Sequence, residues 1–163
     1  MASSKLNFEV NLNGAFRVFE SGYAVLTELP EVGAPDIFPP LGPFDPTPSN
    51  MIAQTDQPLL VKFRWRVRGG LALIMSGKWE CAVYLEEMGA GEFGGPPFST
   101  STPFMAVLDH TYDVTVTIPA NSIPKGLYKV TVAVSLMGPA PTNAALPVVA
   151  FADIGILKTY VAA

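Results

Sequence analysis

A strict alternation of apolar and polar residues constrains the fold of this chain more than any other feature. In “LLVKFRWRVRG”, the apolar positions from residue 61 to 67 alternate with basic ones. The same period of two recurs in “LNFEVNL”, “KWECAVYLEE”, “YDVTVTI” and “GLYKVTVAVSL”. Successive side chains of a strand point to opposite faces of its sheet, so this period predicts β-strands with one buried face. No segment combines a helical period with helix caps, which favours an all-β chain.

Asparagine, glycine and proline separate the alternating segments. Asn13-Gly14 stands between two of them and predicts a hairpin, because both residues tolerate a positive φ. A Pro-rich segment, residues 29–57, and a Gly/Pro-rich segment, residues 88–103, are predicted to be loops. The length of 163 residues fits one domain. We therefore predict a single antiparallel β-sandwich domain over residues 1–163, with a long Pro-rich insertion between its first strands.

The run “TIPANSIPKGLYKVTVAV” resembles a corner of immunoglobulin and fibronectin type III domains, where a Gly or Pro turn leads into Tyr-x-Val-x-Val. The resemblance implies an immunoglobulin-like sandwich in which Trp79 is the core tryptophan and the hydroxyl of Tyr128 hydrogen-bonds back to the turn. It implies strand A with its hairpin at 5–19, B at 59–68, C at 78–86, E at 112–118, F at 126–136 and G at 148–161. The paired cysteines of antibody domains are absent, with Val130 at the second position. Such sandwiches host many functions, so the resemblance implies no particular chemistry.

Composition narrows the choice of partners. Charged residues make up 15% of the chain, against roughly 25% in a typical domain, and the net charge is −4. A surface built from so few charges contains small and apolar residues that tend to be covered by partners. Nucleic acid is not expected, because phosphate binding needs clustered Lys and Arg. The sequence shows no secretory signal and no run of the roughly 20 apolar residues that span a membrane. We therefore expect a cytoplasmic protein, or one released within an assembly by a non-classical route.

The residues that could carry chemistry are few. His110 could act as the general base of a hydrolase, but the sequence contains no motif for a serine nucleophile. Cys81 is the single cysteine, which excludes an internal disulfide and a metal site built from cysteines. We therefore expect no enzyme activity and no cofactor. Calcium at the loop ends stays open, although the spacing of the loop aspartates matches no calcium-binding loop. These aspartates are Asp36, Asp45 and Asp56.

Four basic side chains share one face of the predicted strand B. They are Lys62, Arg64, Arg66 and Arg68, spaced by roughly 7 Å. One interpretation is an anion-binding stripe for phosphate, a sulfated polysaccharide or an acidic partner. The favoured interpretation is cross-strand ion pairing, with Glu80 and Glu86 or with Glu9 and Glu20 as partners. Protection of a sheet edge against aggregation is a third.

Large apolar residues on loops and on the last strand are the candidate interaction residues. They are Phe38, Leu41, Phe44, Phe93 and Phe98 on the loops, and Ile154, Ile156 and Tyr160 on the last strand. The loop residues either plug the end of the sandwich or contact a partner. The run “ALPVVAFADIGILKTYVAA” is apolar on both faces, with a bulge expected at Gly155. One of these faces is therefore expected to be covered by a loop of the same chain or by another subunit.

These features favour a non-enzymatic structural or protein-interaction subunit, which self-associates as a homo-oligomer or docks in a larger assembly. The alternative is a ligand-binding module of the carbohydrate-binding kind. Its stacking platforms would be Tyr23, Phe44, Phe93 or Phe98. Carbohydrate modules usually expose Trp or Tyr on a flat face, whereas both tryptophans here fall in the buried phase of their strands.

Overall fold

The alternating segments form the strands of two β-sheets. The computed structural model describes residues 5–8, 17–18, 22–28, 51–89 and 93–161. Its strands are β1, Asn7–Phe8; β2, Arg17–Val18; β3, Tyr23–Glu28; β4, Ile52–Gln54; β5, Leu59–Arg68; β6, Lys78–Glu87; β7, Phe98–Pro103; β8, Asp109–Ile118; β9, Gly126–Met137; and β10, Ala145–Tyr160. Among these residues the one helical segment is a 3₁₀ turn, Gly70–Leu73. The predicted all-β class is confirmed.

The larger sheet has the order β1–β10–β9–β6–β7, and these neighbours run antiparallel. The outer edge of β10 carries two short partners. β1 pairs with residues 150–151, and β4 runs parallel to residues 158–160. The long strands β6, β9 and β10 therefore provide a broad outer surface in the middle of this sheet.

The smaller sheet is centred on β5. β2 and β3 pair with different parts of one edge of β5, and β8 pairs with the other edge. The pairing of β5 with β8 is continuous from Leu59 opposite Ile118 to Arg68 opposite Asp109. This uninterrupted register places the even-numbered basic residues of β5 beside the polar residues of β8, on the face away from the core.

The two sheets pack their inner faces against one aromatic core. Trp65 of β5 and Trp79 of β6 are both fully buried, and their ring centroids lie 5.5 Å apart. Tyr112 of β8 stacks on Trp65 at 5.0 Å, and Phe104 packs on Trp79 at 6.1 Å. Because these contacts join strands of both sheets, the arrangement is sandwich-like, as expected from the alternation.

The strands β5, β6, β8, β9 and β10 agree with the strands predicted from alternation, but one prediction about a segment between strands needs correction. The hairpin expected around Asn13-Gly14 lies outside the described residues, which include, of its arms, only β1 in the larger sheet and β2 in the smaller one. The predicted loop at 88–103 is too long, because its last six residues form β7. β7 alternates half-buried Phe98, Thr100 and Thr102 with exposed neighbours, and threonine suits a strand without a fully apolar pattern.

The Pro-rich segment predicted at 29–57 lies largely outside the described residues. Its described part, 51–57, contains β4, whose partner is the end of β10. No helix in the described part of the chain is long and apolar enough to span a membrane.

The turn before β9 is held by hydrogen bonds that converge on Pro124. The hydroxyl of Tyr128 donates to the carbonyl oxygen of Pro124 at 3.0 Å, so the hydrogen bond predicted for this tyrosine is present. The hydroxyl of Thr159 donates to the same oxygen at 2.7 Å and accepts from the backbone N–H of Gly126 at 2.9 Å. Burial, followed by the charge of Glu87, raises the pKa of Tyr128, which keeps its hydroxyl protonated as a donor. The turn and β10 are thereby fixed to each other.

Candidate interaction surface

Large apolar side chains are exposed together on the outer face of the larger sheet. The cross-strand register places Glu86, Lys129 and Ile156 in one row across β6, β9 and β10, and Leu127, Lys158 and Ile52 in the next. Side chains two residues apart on these strands share that face. We call the following seven residues the apolar outer face: Ile52, Tyr84, Met88, Leu127, Phe151, Ile156 and Tyr160. Their exposed fractions range from 39% for Tyr160 to 62% for Ile52.

A β-bulge in β10 decides which residues reach this face. The register with β9 shifts between Asp153 and Gly155, and Gly155 has a φ of 122°, a conformation that favours glycine. The carboxylate of Asp153 accepts a hydrogen bond from the N–H of Gly155 at 3.0 Å. The bulge predicted at Gly155 is therefore confirmed. It allows Phe151 and Ile156, five residues apart, to lie on the same side of the sheet.

The bulge corrects the predicted grouping of the last strand. Ile156 and Tyr160 are exposed as expected, but Ile154 precedes the bulge and faces the core, with an exposed fraction of 3%. Leu157 follows the bulge and is fully buried as well. Ile154 is therefore a core residue, and Phe151 belongs to the apolar outer face.

An open hollow of about 700 Å³ lies at one end of the apolar outer face. Its lining combines Met88, Leu127, Tyr160 and Val161 with three charged residues, Glu87, Lys125 and Lys158. The side-chain amide of Gln54 donates to the hydroxyl of Tyr160 at 3.1 Å, which orients that ring. The hollow can receive an apolar side chain and offers ammonium groups at its rim.

The three arginines of β5 are engaged in cross-strand ion pairs. Arg64 binds Asp113 through two nitrogens, with the second bond at 3.1 Å. Arg66 binds Asp109 in the same bidentate way, and Arg68 lies 3.2 Å from that carboxylate. The hydrogen bond from Arg66 holds the pKa of Asp109 below its ordinary value.

The cross-strand pairing of the favoured interpretation is present, and its described partners are carboxylates of β8. Glu80 and Glu86 lie on β6 of the larger sheet, whereas Glu9 and Glu20 lie outside the described residues. Lys62, opposite Val25 and Thr115 on the neighbouring strands, is half-buried. The carboxylates of β8 already occupy the guanidinium groups that an anion would need.

The aromatic loop residues that the structure describes pack against the core. Phe93 lies edge-on to Tyr128 at 6.0 Å and 6.3 Å from Phe98, and both phenylalanines are half-buried. This is the position of a plug at the end of the sandwich. Phe38, Leu41 and Phe44 lie outside the described residues.

The two groups considered in the sequence analysis for chemistry, His110 and Cys81, both make contacts within the fold. His110 lies edge-on to Tyr112, with ring centroids 4.6 Å apart. Cys81 is fully buried, and burial raises the pKa of its thiol, with the charge of Glu80 adding to the effect. Within the described ranges no group of three His, Cys, Asp or Glu side chains could hold a metal ion.

Sequence reasoning missed five members of the apolar outer face: Ile52, Tyr84, Met88, Leu127 and Phe151. The surface could have been identified from apolar residues at the otherwise polar positions of an alternating strand. Tyr84 and Leu127 are two such residues. No protein-family model, no curated protein and no solved structure matches this chain.

Proposed function

We propose that this chain is a non-enzymatic structural or protein-interaction subunit, which self-associates or docks in a larger assembly through the apolar outer face. The observation that carries the proposal is the gathering of seven large apolar side chains, each at least 39% exposed, on one side of one sheet. Single exposed apolar residues are ordinary, whereas several on one face of one sheet are typical of an interaction site.

Burial of the apolar side chains on this surface is favourable. Apolar area removed from water contributes roughly 25 cal/mol per Å². The charged residues between the apolar ones need partners when they are covered, as Lys129 has in Asp153 at 3.7 Å. The hollow beside Met88 and Leu127 offers a recess for an apolar anchor, which is where interfaces concentrate their binding energy.

The proposal is tested by the mass of the protein in solution over a wide concentration range. Wild-type protein is expected to form oligomers in sedimentation velocity or light scattering, and Leu127→Ser with Ile156→Ser is expected to reduce the oligomer. Lys62→Ser, on the outer face of the other sheet, serves as a matched control and should leave association unchanged. A strict monomer at high concentration would contradict self-association, and docking on other subunits would remain. A pull-down that compares the wild type with the double variant would then test this docking.

A second candidate function is the carbohydrate-binding one, and the aromatic members of the apolar outer face favour it. Tyr84, Phe151 and Tyr160 are exposed on one sheet face, whereas both tryptophans are buried. Exposed aromatic rings can stack on sugar rings. Binding on a glycan array that is lost in Tyr84→Ala would favour this function, while an array without hits would remove it.

We also infer that the sandwich is immunoglobulin-like. Two observations on strand order support this: β5 pairs with β8 as strands B and E do, and β6, β9 and β10 are neighbours as C, F and G are. The hydrogen bond of Tyr128 to Pro124 and the buried position of Trp79 are further support. An experimental structure with a different strand order would overturn this inference.

A further inference from the structure

The outer edge of β8 is the longest open strand edge in the described part of the smaller sheet. β8 pairs with β5 over ten residues, and no described strand pairs with its other side. Proteins usually protect such edges with proline, lysine or a bulge. β8 reads “DHTYDVTVTI”, with none of these residues and no register shift, and it is rich in β-branched residues.

The register shows which backbone groups of β8 point away from β5. Gly69 donates its N–H to the carbonyl of Leu108 at 2.9 Å, so these two residues form a hydrogen-bonded antiparallel pair. Hydrogen-bonded pairs alternate with non-hydrogen-bonded ones along the strands. His110, Tyr112 and Val114 and the even positions after them therefore bond to β5. The N–H and C=O groups of the odd positions, from Asp109 to Thr117, point to the open edge.

The two carboxylates on β8 do not protect this edge in the usual way. Asp113 is bound by Arg64, and Asp109 by Arg66 and Arg68, all of them on β5. Their charges are neutralised from the paired side of the strand. An added strand would therefore meet threonine side chains and carboxylates that are already paired, instead of an uncompensated row of like charges.

We propose that β8 pairs antiparallel with β8 of a second copy of this chain, about a two-fold axis at Val114. This register places Asp113 opposite Thr115 and Thr111 opposite Thr117. The odd residues of both strands then bond to each other, which makes about eight backbone hydrogen bonds. An axis at Asp113 would satisfy the same alternation but would place Asp113 opposite itself, and like charges directly opposite are destabilising.

This edge contact goes beyond the proposed function, and it depends on the self-association proposed there. It lies on the smaller sheet, whereas the apolar outer face belongs to the larger one. A two-fold contact on each sheet would link chains into an assembly larger than a dimer. Variants of the two surfaces therefore report on the two proposals separately.

The first experiment removes one donor from the open edge. Thr115→Pro deletes an N–H that points away from β5, so the folded monomer should be retained, since edge strands tolerate proline there. Each dimer loses two hydrogen bonds, and sedimentation velocity should show the dimer dissociation constant rise by about tenfold or more. Thr115→Val keeps the N–H and the β-branched shape, and should dimerise like the wild type.

The second experiment tests the register directly and does not depend on the proline variant folding. Val114→Cys should form a disulfide-linked dimer under mild oxidation, because the two-fold axis brings residue 114 of both copies within disulfide reach. Thr117→Cys should not, since its expected neighbour is Thr111 of the second copy. The buried Cys81 is common to both variants and to the wild type.

The outcomes separate the two proposals. Loss of dimer with Thr115→Pro, together with cross-linking at residue 114 alone, supports edge pairing. A monomeric wild type, equal cross-linking at both positions, or absence of cross-linking overturns it. Association that depends on Leu127 and Ile156 but on neither β8 variant overturns edge pairing and leaves the apolar outer face as the contact.

Discussion

The outer faces of the two sheets differ in how they meet solvent. On the smaller sheet, the guanidinium groups of β5 bind the two carboxylates of β8, so the charges of these carboxylates are compensated within the sheet. The outer face of the larger sheet exposes seven large apolar side chains, with the Lys129–Asp153 pair at 3.7 Å. A chain with few charges has thus placed bidentate ion pairs on one face and apolar residues on the other. The carboxylates on the smaller sheet's face already have partners within the sheet, whereas covering the apolar side chains on the larger sheet's face would be favourable.

The largest expected effect tests whether the two faces belong to one cooperative unit. Trp79→Ala removes a fully buried ring that contacts Trp65 and Tyr112 of the opposite sheet, and should lower the free energy of unfolding by about 3–5 kcal/mol. Urea denaturation followed by circular dichroism measures this change. Tyr84→Ala, on the outward side of the same strand, is the control and should change it by about 1 kcal/mol or less. Two separate unfolding transitions would show that the sheets do not share a core.

A smaller effect should distinguish the faces from each other. Arg64→Ala breaks the bidentate pair with Asp113, whose side chain is 56% exposed and can rehydrate, so we expect a loss of about 1 kcal/mol or less in monomer stability. Ile156→Thr keeps a β-branched shape on the other face and should change monomer stability by about 0.5 kcal/mol or less.

Association should distinguish the faces more clearly. Ile156→Thr should weaken self-association in sedimentation velocity, and Lys62→Ser on the smaller sheet should not. If Lys62→Ser weakened association more than Ile156→Thr did, the functional contrast between the faces would be wrong.

The long strands were predictable because alternation is a local signal. β5 begins and ends at the residues predicted for it, and β6, β9 and β10 differ from prediction by a few residues at their ends. β7 was not predicted, because its inward positions are largely threonine and its outward ones serine, which gives no apolar period. The placement of β1 and β2 in different sheets is a non-local property, and the Asn13-Gly14 signal carries no information about it.

The candidate surface was only partly predictable, because it depends on non-local contacts and on the position of a bulge. Ile156 and Tyr160 were expected to be exposed, but the phase of β10 depends on where the bulge at Gly155 inserts its extra residue. A bulge one position away reverses the side on which Ile154 lies. The partners of Arg64 and Arg66 depend on which strand lies beside β5, so the pairing type was predictable and the identities of Asp109 and Asp113 were not.

The smallest effect concerns acid and the ion pairs of the smaller sheet. The hydrogen bond from Arg66 lowers the pKa of Asp109 from its ordinary value of 3.8, so the folded state favours the ionised carboxylate. The stabilisation is therefore fully present above pH 3.8 and is lost as the pH falls through the lower pKa of the folded state. In urea denaturation, wild type should exceed Asp109→Asn in stability by a small amount that is constant near neutral pH and shrinks in acid below 3.8. In an Arg66→Gln background the same comparison should show a smaller pH dependence, because the main partner of Asp109 is gone. A difference that stays constant well below pH 3.8 would mean that the charge of Asp109 does not stabilise this face.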